Sequence, residues 1–226
     1  EISACLVGSE MCIRDSVTRG GRYTYGFAYS VSTHSPGSNF NVWTTKTVVT
    51  HPDGSGRVLY FNKAGQLMLR RVQDNAASPT TTWNQLYQKF VNGTGRRIES
   101  AGADAINTFN EASGGLVTLK ANEGMISVYA FDVYGNLISH ALKKGTSGTA
   151  SKLFLRGYTQ HPFAGSSVIF KLTSETVYRG EGESDPVTTE WAYTFHTYGS
   201  SSTFQVLTLT VKLPKVPVSE NGRNVD

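Results

Sequence analysis

The sequence has little charge, no long apolar run and almost no cysteine. Only 17% of its 226 residues are charged, and the net charge of +4 includes no run of five like charges. Arg70-Arg71, Arg96-Arg97 and Lys143-Lys144 are isolated doublets. A nucleic-acid footprint needs clustered basic residues, so no nucleic-acid partner is expected. No stretch approaches the roughly 20 apolar residues of a transmembrane segment, and no signal peptide is recognisable. The two cysteines, Cys5 and Cys12, stand at the N-terminus with none elsewhere. Their spacing makes a poor disulfide or metal half-site.

Signatures of catalysis are missing too. His34, His51, His140, His161 and His196 are scattered, and none stands at zinc-ligand spacing from another His, Cys or carboxylate. There is no phosphate-binding Gly loop, no His-Glu-x-x-His and no Gly-x-Ser-x-Gly elbow. Ser166 and Ser167 follow Gly165 without the rest of such an elbow. Glu181-x-Glu183-x-Asp185 alternates oxygens as a calcium loop does, but it lacks the ligand order of an EF-hand and reads as a solvated hairpin tip. The expectation is a non-enzymatic chain with no catalytic residue, cofactor or metal site.

What is present suits strands and tight turns. Gly occurs 23 times, and Thr, Val, Tyr and Phe are abundant, a composition that favours β-structure. Tyr23, Tyr25, Phe27, Tyr29 and Val31 alternate with small or polar residues, which places them on one strand face. Trp191, Tyr193 and Phe195 form a second such row, and Leu207, Leu209, Val211 and Leu213 a third. Aromatic rows of this kind pack across strands; they also stack on sugar rings, which makes Tyr23, Tyr25, Tyr29, Trp191 and Tyr193 candidate glycan-stacking residues. Strands are expected over 43–49, 57–61, 67–72, 83–90, 116–120, 125–131, 153–158, 168–172, 173–178 and 187–195. Residues 101–112 break the rhythm and read as a short helical turn or an irregular insertion.

One corner recurs. Tyr129-Ala130-Phe131-Asp132-Val133-Tyr134-Gly135-Asn136-Leu137-Ile138 runs apolar, Asp, two residues, Gly, then apolar again. Asp bonds nearby backbone N–H groups and Gly accepts positive φ, so the segment predicts strand, hairpin turn, strand. Tyr60-Phe61-Asn62-Lys63-Ala64-Gly65-Gln66-Leu67 repeats it with Asn for Asp, and Phe90-Val91-Asn92-Gly93-Thr94-Gly95-Arg96 is a third copy. Asn62, Gly65, Asn92, Gly95, Asp132 and Gly135 are therefore assigned as structural repeat-turn residues. Two of the three carboxylate-or-amide positions are amides, which removes a shared acid role.

The pattern apolar-apolar-(Asp/Asn)-x-x-Gly-(Arg/Gln/Asn)-Leu resembles the core of the Rhs/YD-repeat family of large secreted or surface-displayed bacterial proteins. Val49-Thr50-His51-Pro52-Asp53-Gly54 is placed like that family's incoming strand and turn, and Thr188–Tyr193 and Val211–Pro217 resemble its divergent repeats. The resemblance covers roughly residues 45–226. It implies an all-β fold in which antiparallel hairpin repeats form an arc of a spiralling sheet, one stretch of a hollow shell. It further implies a secreted or cell-surface location. Its partners would be neighbouring repeats, an enclosed C-terminal effector domain, or cell-surface glycan or protein. Residues 5–15 resemble translated sequencing-adapter sequence of the kind found in metagenomic translations. On this reading residues 1–16 are a non-native artefact or disordered tail, and 17–226 form a repeat region incomplete at both ends. Cut edges of that kind would be prone to aggregate. Two other functions stay open: a carbohydrate-binding β module and, with less support, a secreted hydrolase.

Overall fold

The computed structural model describes residues 16–19, 23–163, 167–198 and 201–214. Cys5, Cys12, the adapter-like stretch, Gly165, Ser166 and the chain beyond Pro214 lie outside the described residues. Two compact units divide the chain, Glu1–Ile126 and Ser127–Asp226.

The first unit is an antiparallel meander. Its strands are β1 (Ser16–Arg19), β2 (Tyr23–Val31), β3 (Trp43–Thr50), β4 (Gly56–Asn62), β5 (Leu67–Gln73), β6 (Thr82–Phe90) and β7 (Arg97–Gly102), each paired with its sequence neighbour. Sequence-adjacent antiparallel strands need only short corners, and Gly, Asn and Asp supply them here. The register aligns Lys46, Tyr60, Leu69, Tyr87 and Ala101 as directly opposed residues across five strands. Of these, Tyr60, Leu69, Tyr87 and Ala101 are buried. The opposite face carries the row Phe27, Val49, Arg57, Val72 and Trp83.

The stretch that broke the strand rhythm is an insertion with structure of its own. A 3-10 turn at Ala103–Ala105 leads into β8 (Ile106–Phe109), which pairs with β9 (Val117–Leu119) as a separate two-stranded ribbon. Phe109 of β8 meets Tyr60 at 5.8 Å between ring centroids, so the insertion covers the buried row. Gly124 ends it at φ +74°, and a Cβ there would lie 2.3 Å from the Ala105 backbone. Only glycine fits that close approach.

In the second unit β10 (Met125–Phe131, beginning just before the boundary), β11 (Leu137–Lys144), β12 (Ser151–Phe163), β13 (Ser167–Tyr178), β14 (Pro186–Tyr198) and β15 (Ser201–Lys212) again follow in sequence order. The two strands expected at 168–172 and 173–178 are one, β13. A register shift at Gly157/Tyr158 in its partner β12 absorbs the irregularity that resembled a break. Bulges bend a strand without ending it.

The β12–β13 and β14–β15 ribbons pair only over Ser174–Tyr178 with Pro186–Glu190. Farther out they separate and face each other. The His161 ring stacks on Phe195 at 3.5 Å, and Nε2 of His161 lies 3.0 Å from the Thr203 carbonyl. In a flat sheet β12 and β15 would stand three strand spacings apart, roughly 14 Å. The ribbons are therefore folded toward one another.

The core is unevenly distributed. Among the described residues every buried large hydrophobic side chain lies in the first unit, while Leu153, Leu155, Val177, Leu207, Leu209 and Val211 of the second are exposed. The architecture is all-β and antiparallel throughout.

Candidate functional site

Three corners share one backbone geometry. At Asn62–Gln66 the Asn62 N–H donates to the Gln66 carbonyl (3.0 Å) and the Gly65 N–H to the Asn62 carbonyl (2.9 Å). Asp132–Asn136 has the same two bonds, each 3.0 Å, and His51–Ser55 has them at 2.8 and 2.9 Å. The fourth residue is Gly65, Gly135 or Gly54, at φ +72°, +93° and +83°. This is a turn closed by a left-handed glycine, the three-residue hairpin loop with a bulge.

Side chains complete the first two corners identically. Asn62 Oδ1 accepts from the Ala64 and Gln66 N–H groups, both at 3.0 Å. Asp132 Oδ1 accepts from Tyr134 (3.0 Å) and Asn136 (2.8 Å). The polarity beyond that differs. Buried Asn62 donates Nδ2 to the Phe40 carbonyl (2.9 Å) and to Gln66 Oε1 (3.0 Å), so an amide is required. Asp132 Oδ2 instead accepts from Asn136 Nδ2 at 2.8 Å. Desolvation pushes the Asp132 carboxyl up, but the bonds from Asn136, Tyr134 and Gly135 outweigh it and hold it below its ordinary value.

The copy at Asn92 is built differently. Its loop closes between Val91 and Arg96 (2.7 Å), with Gly93 and Gly95 both at positive φ. Asn92 Oδ1 accepts from the Phe40 N–H across the fold at 2.9 Å. One additional residue moves Asn out of the closing position, so its side chain reaches a neighbouring loop rather than its own turn. The sequence pattern in turn passes over the His51 corner, because His stands where Asp or Asn is expected. There Asp53 takes the side-chain role, with Oδ1 accepting from the Ser55 N–H (2.9 Å) and hydroxyl (2.7 Å).

A polar cluster locks the insertion onto the sheet. Glu111, in the loop between β8 and β9, accepts from Lys46 Nζ (2.5 Å) and from the Tyr60 hydroxyl (3.0 Å). The Arg71 guanidinium lies 3.5 Å from the Phe109 ring centroid, and its Nε donates to Asn84 Oδ1 at 2.9 Å. Trp43 Nε1 donates to the Glu111 carbonyl at 3.2 Å. Burial first, then the Glu111 carboxylate, pushes the Tyr60 phenol far above its ordinary range. Burial acts to raise Glu111 as well, yet the bonds from Lys46 and Tyr60 bring it below its usual value. Every member is engaged by another, an arrangement that ties the insertion to the strands beneath it. No sequence signal links Lys46 to Glu111; only the fold does.

The aromatic rows differ in their surroundings. Tyr23 is 56% exposed and Tyr29 49% exposed, while Tyr25 is half-buried with its ring 5.9 Å from His51, edge to face. Tyr23, Tyr25, His51, Pro52, Asp53 and Arg57 line a cleft of about 630 Å³. Trp191 and Tyr193 are half-buried. Tyr193 has Lys171 Nζ 5.9 Å above its ring and Phe195 beside it at 6.3 Å, so the facing ribbon engages that row. A smaller cleft of about 390 Å³ includes Trp191, Glu190 and Lys212, with the two charges paired at 2.8 Å.

At the acidic tip Glu183 pairs with Lys152 (2.9 Å) and Asp185 with Arg179 (2.9 Å). Among the described residues no three His, Cys, Asp or Glu side chains are grouped to hold a metal, and no helix is long and apolar enough to cross a membrane. No family model matches the chain, and no curated protein matches it.

Proposed function

We propose that this chain is a non-catalytic wall segment of an Rhs/YD-repeat type β-shell, secreted or displayed at a cell surface. Its role is enclosure: holding a C-terminal effector domain of the same protein, or presenting an extended surface to cells. The observation that carries this reading is the corner built three times with one hydrogen-bond pattern, at His51–Ser55, Asn62–Gln66 and Asp132–Asn136. A repeated corner between sequence-adjacent strands is how a chain extends one sheet indefinitely. The exposed Leu153, Leu155, Val177, Leu207 and Leu209 fit a segment that leans on neighbouring repeats. Electron microscopy of the product of the full open reading frame tests the proposal. A hollow shell with this segment in its wall is expected. A compact domain that closes near β1 and β15, with no further corners in the gene, overturns it.

A second reading has its own observation. The exposed Tyr23 and Tyr29 beside a cleft that includes Tyr25 support a carbohydrate-binding surface on this strand face, compatible with a place in a shell wall.

A further inference from the structure

The groups lining the cleft beside the His51–Ser55 corner point to the class of sugar, and the inference rests on that second reading. Arg57 is exposed and, among the described residues, has no carboxylate or hydrogen-bond partner. It sits opposite Val49 and Val72 in the register, so its guanidinium rises from an apolar row. Among the described residues that line the cleft, Arg57 is the cationic donor and Asp53 at the corner is the one carboxylate.

Asp53 has a defined role. Its Oδ1 is taken by Ser55 N–H and Oγ–H, which leaves Oδ2 to accept from a ligand hydroxyl. Those bonds hold its carboxyl below the ordinary value. Because the Ser55 hydroxyl gives its proton to Asp53, its lone pair is what faces His51 Nδ1 at 3.0 Å. Nδ1 of His51 therefore carries a hydrogen. The described residues of the cleft present the Asp53 carboxylate, the His51 imidazole, the Arg57 guanidinium and the rings of Tyr23 and Tyr25. Its volume of about 630 Å³ lies within the roughly 300–1,000 Å³ of small-ligand sites.

We propose that the cleft binds a uronic acid sugar, its ring face on Tyr23 and Tyr25, its carboxylate on Arg57, and a hydroxyl donating to Asp53 Oδ2. Guanidinium matches carboxylate in a planar two-bond fork, and Tyr rings cover the apolar face of a sugar. A phosphodiester brings no hydroxyl donor at its charged centre and would meet the Asp53 carboxylate. A sulfated polymer needs several clustered cations, whereas the described residues of the cleft include one guanidinium.

Titration calorimetry with the whole chain tests this, using a galacturonic acid oligomer, the neutral galactose oligomer of the same length, and a dextran sulfate oligomer. The uronate should bind roughly tenfold more tightly than the neutral oligomer, the scale of one charged hydrogen-bonded pair. Arg57→Gln should abolish that preference with the circular dichroism spectrum unchanged, and Tyr23→Ala should weaken both sugars. Equal binding of neutral and acidic oligomers overturns the uronate assignment and leaves the carbohydrate reading standing. Preference for dextran sulfate overturns the uronate assignment in favour of a polyanion surface. Binding of no sugar overturns both.

Discussion

At the residue scale, the same corner uses Asn in one place and Asp in another for a reason visible in their surroundings. Asn62 is buried and must donate to the Phe40 carbonyl, whereas Asp132 receives a donor from Asn136. Asn62→Asp should therefore destabilise by about 2–4 kcal/mol in urea unfolding, since it buries a charge against a carbonyl oxygen. Asp132→Asn should lower stability modestly at neutral pH, because the amide accepts more weakly from the Tyr134 and Asn136 N–H groups. The Asp132 carboxyl is depressed in the folded state, so its contribution is fully present above the unfolded carboxyl value, near 4, and is lost as pH falls through the folded one. Asp132→Asn should flatten that acid limb; an unchanged limb would refute the assignment. Glu111→Gln tests the cluster on β3 and β4. With the carboxylate gone, one cause of the raised Tyr60 phenol disappears, and an alkaline absorbance titration should show Tyr60 ionising at lower pH. The Lys46 contact is half-exposed at Glu111, so the stability cost should be only about 1 kcal/mol or less.

At the element scale, the insertion between β7 and β10 decides which face of the first unit is core. Its Leu116 is fully buried at φ +68°, a conformation that costs a non-glycine residue about 1–3 kcal/mol and persists only where packing holds it. The return of the chain under Ala105 depends on Gly124. Gly124→Ala should displace the β8–β9 ribbon, lowering stability by about 3 kcal/mol or more and raising the fluorescence response of Trp43 to quenchers. A variant as stable as the parent would mean that the ribbon is not seated as described.

At the scale of the whole molecule, strands of each unit pair with their sequence neighbours, so opening of one hairpin need not open the next. Buried hydrophobic side chains concentrate in β3 to β8. Hydrogen exchange should therefore find peptides over 56–90 protected longest and those over 191–212 exchanging about 100-fold sooner or more. Uniform protection would contradict the uneven core. The same unevenness gives the proposed enclosure its physical content, since a sheet with exposed Leu and Val on its strands is completed by its neighbours in a larger wall.

The sequence alone settled the all-β class, the period of two in β2, β3 and β15, and the corners at Asn62 and Asp132. Those features are local: side-chain alternation, and an Asx residue three places before glycine, act over a few residues whatever the rest of the chain does. Only the tertiary structure decided that His51–Ser55 is the same corner, that Asn92 is not, and that Glu111 finds Lys46 and Tyr60. A backbone geometry can be reached with His in the first place when Asp53 supplies the missing acceptor, and no local pattern encodes that substitution. The exposure of Tyr23 against the engagement of Tyr193 was likewise undecidable from alternation, because two identical rows differ only in what folds over them. Contacts between residues dozens of positions apart depend on register and on the seating of an insertion, and both are set by packing rather than by spacing.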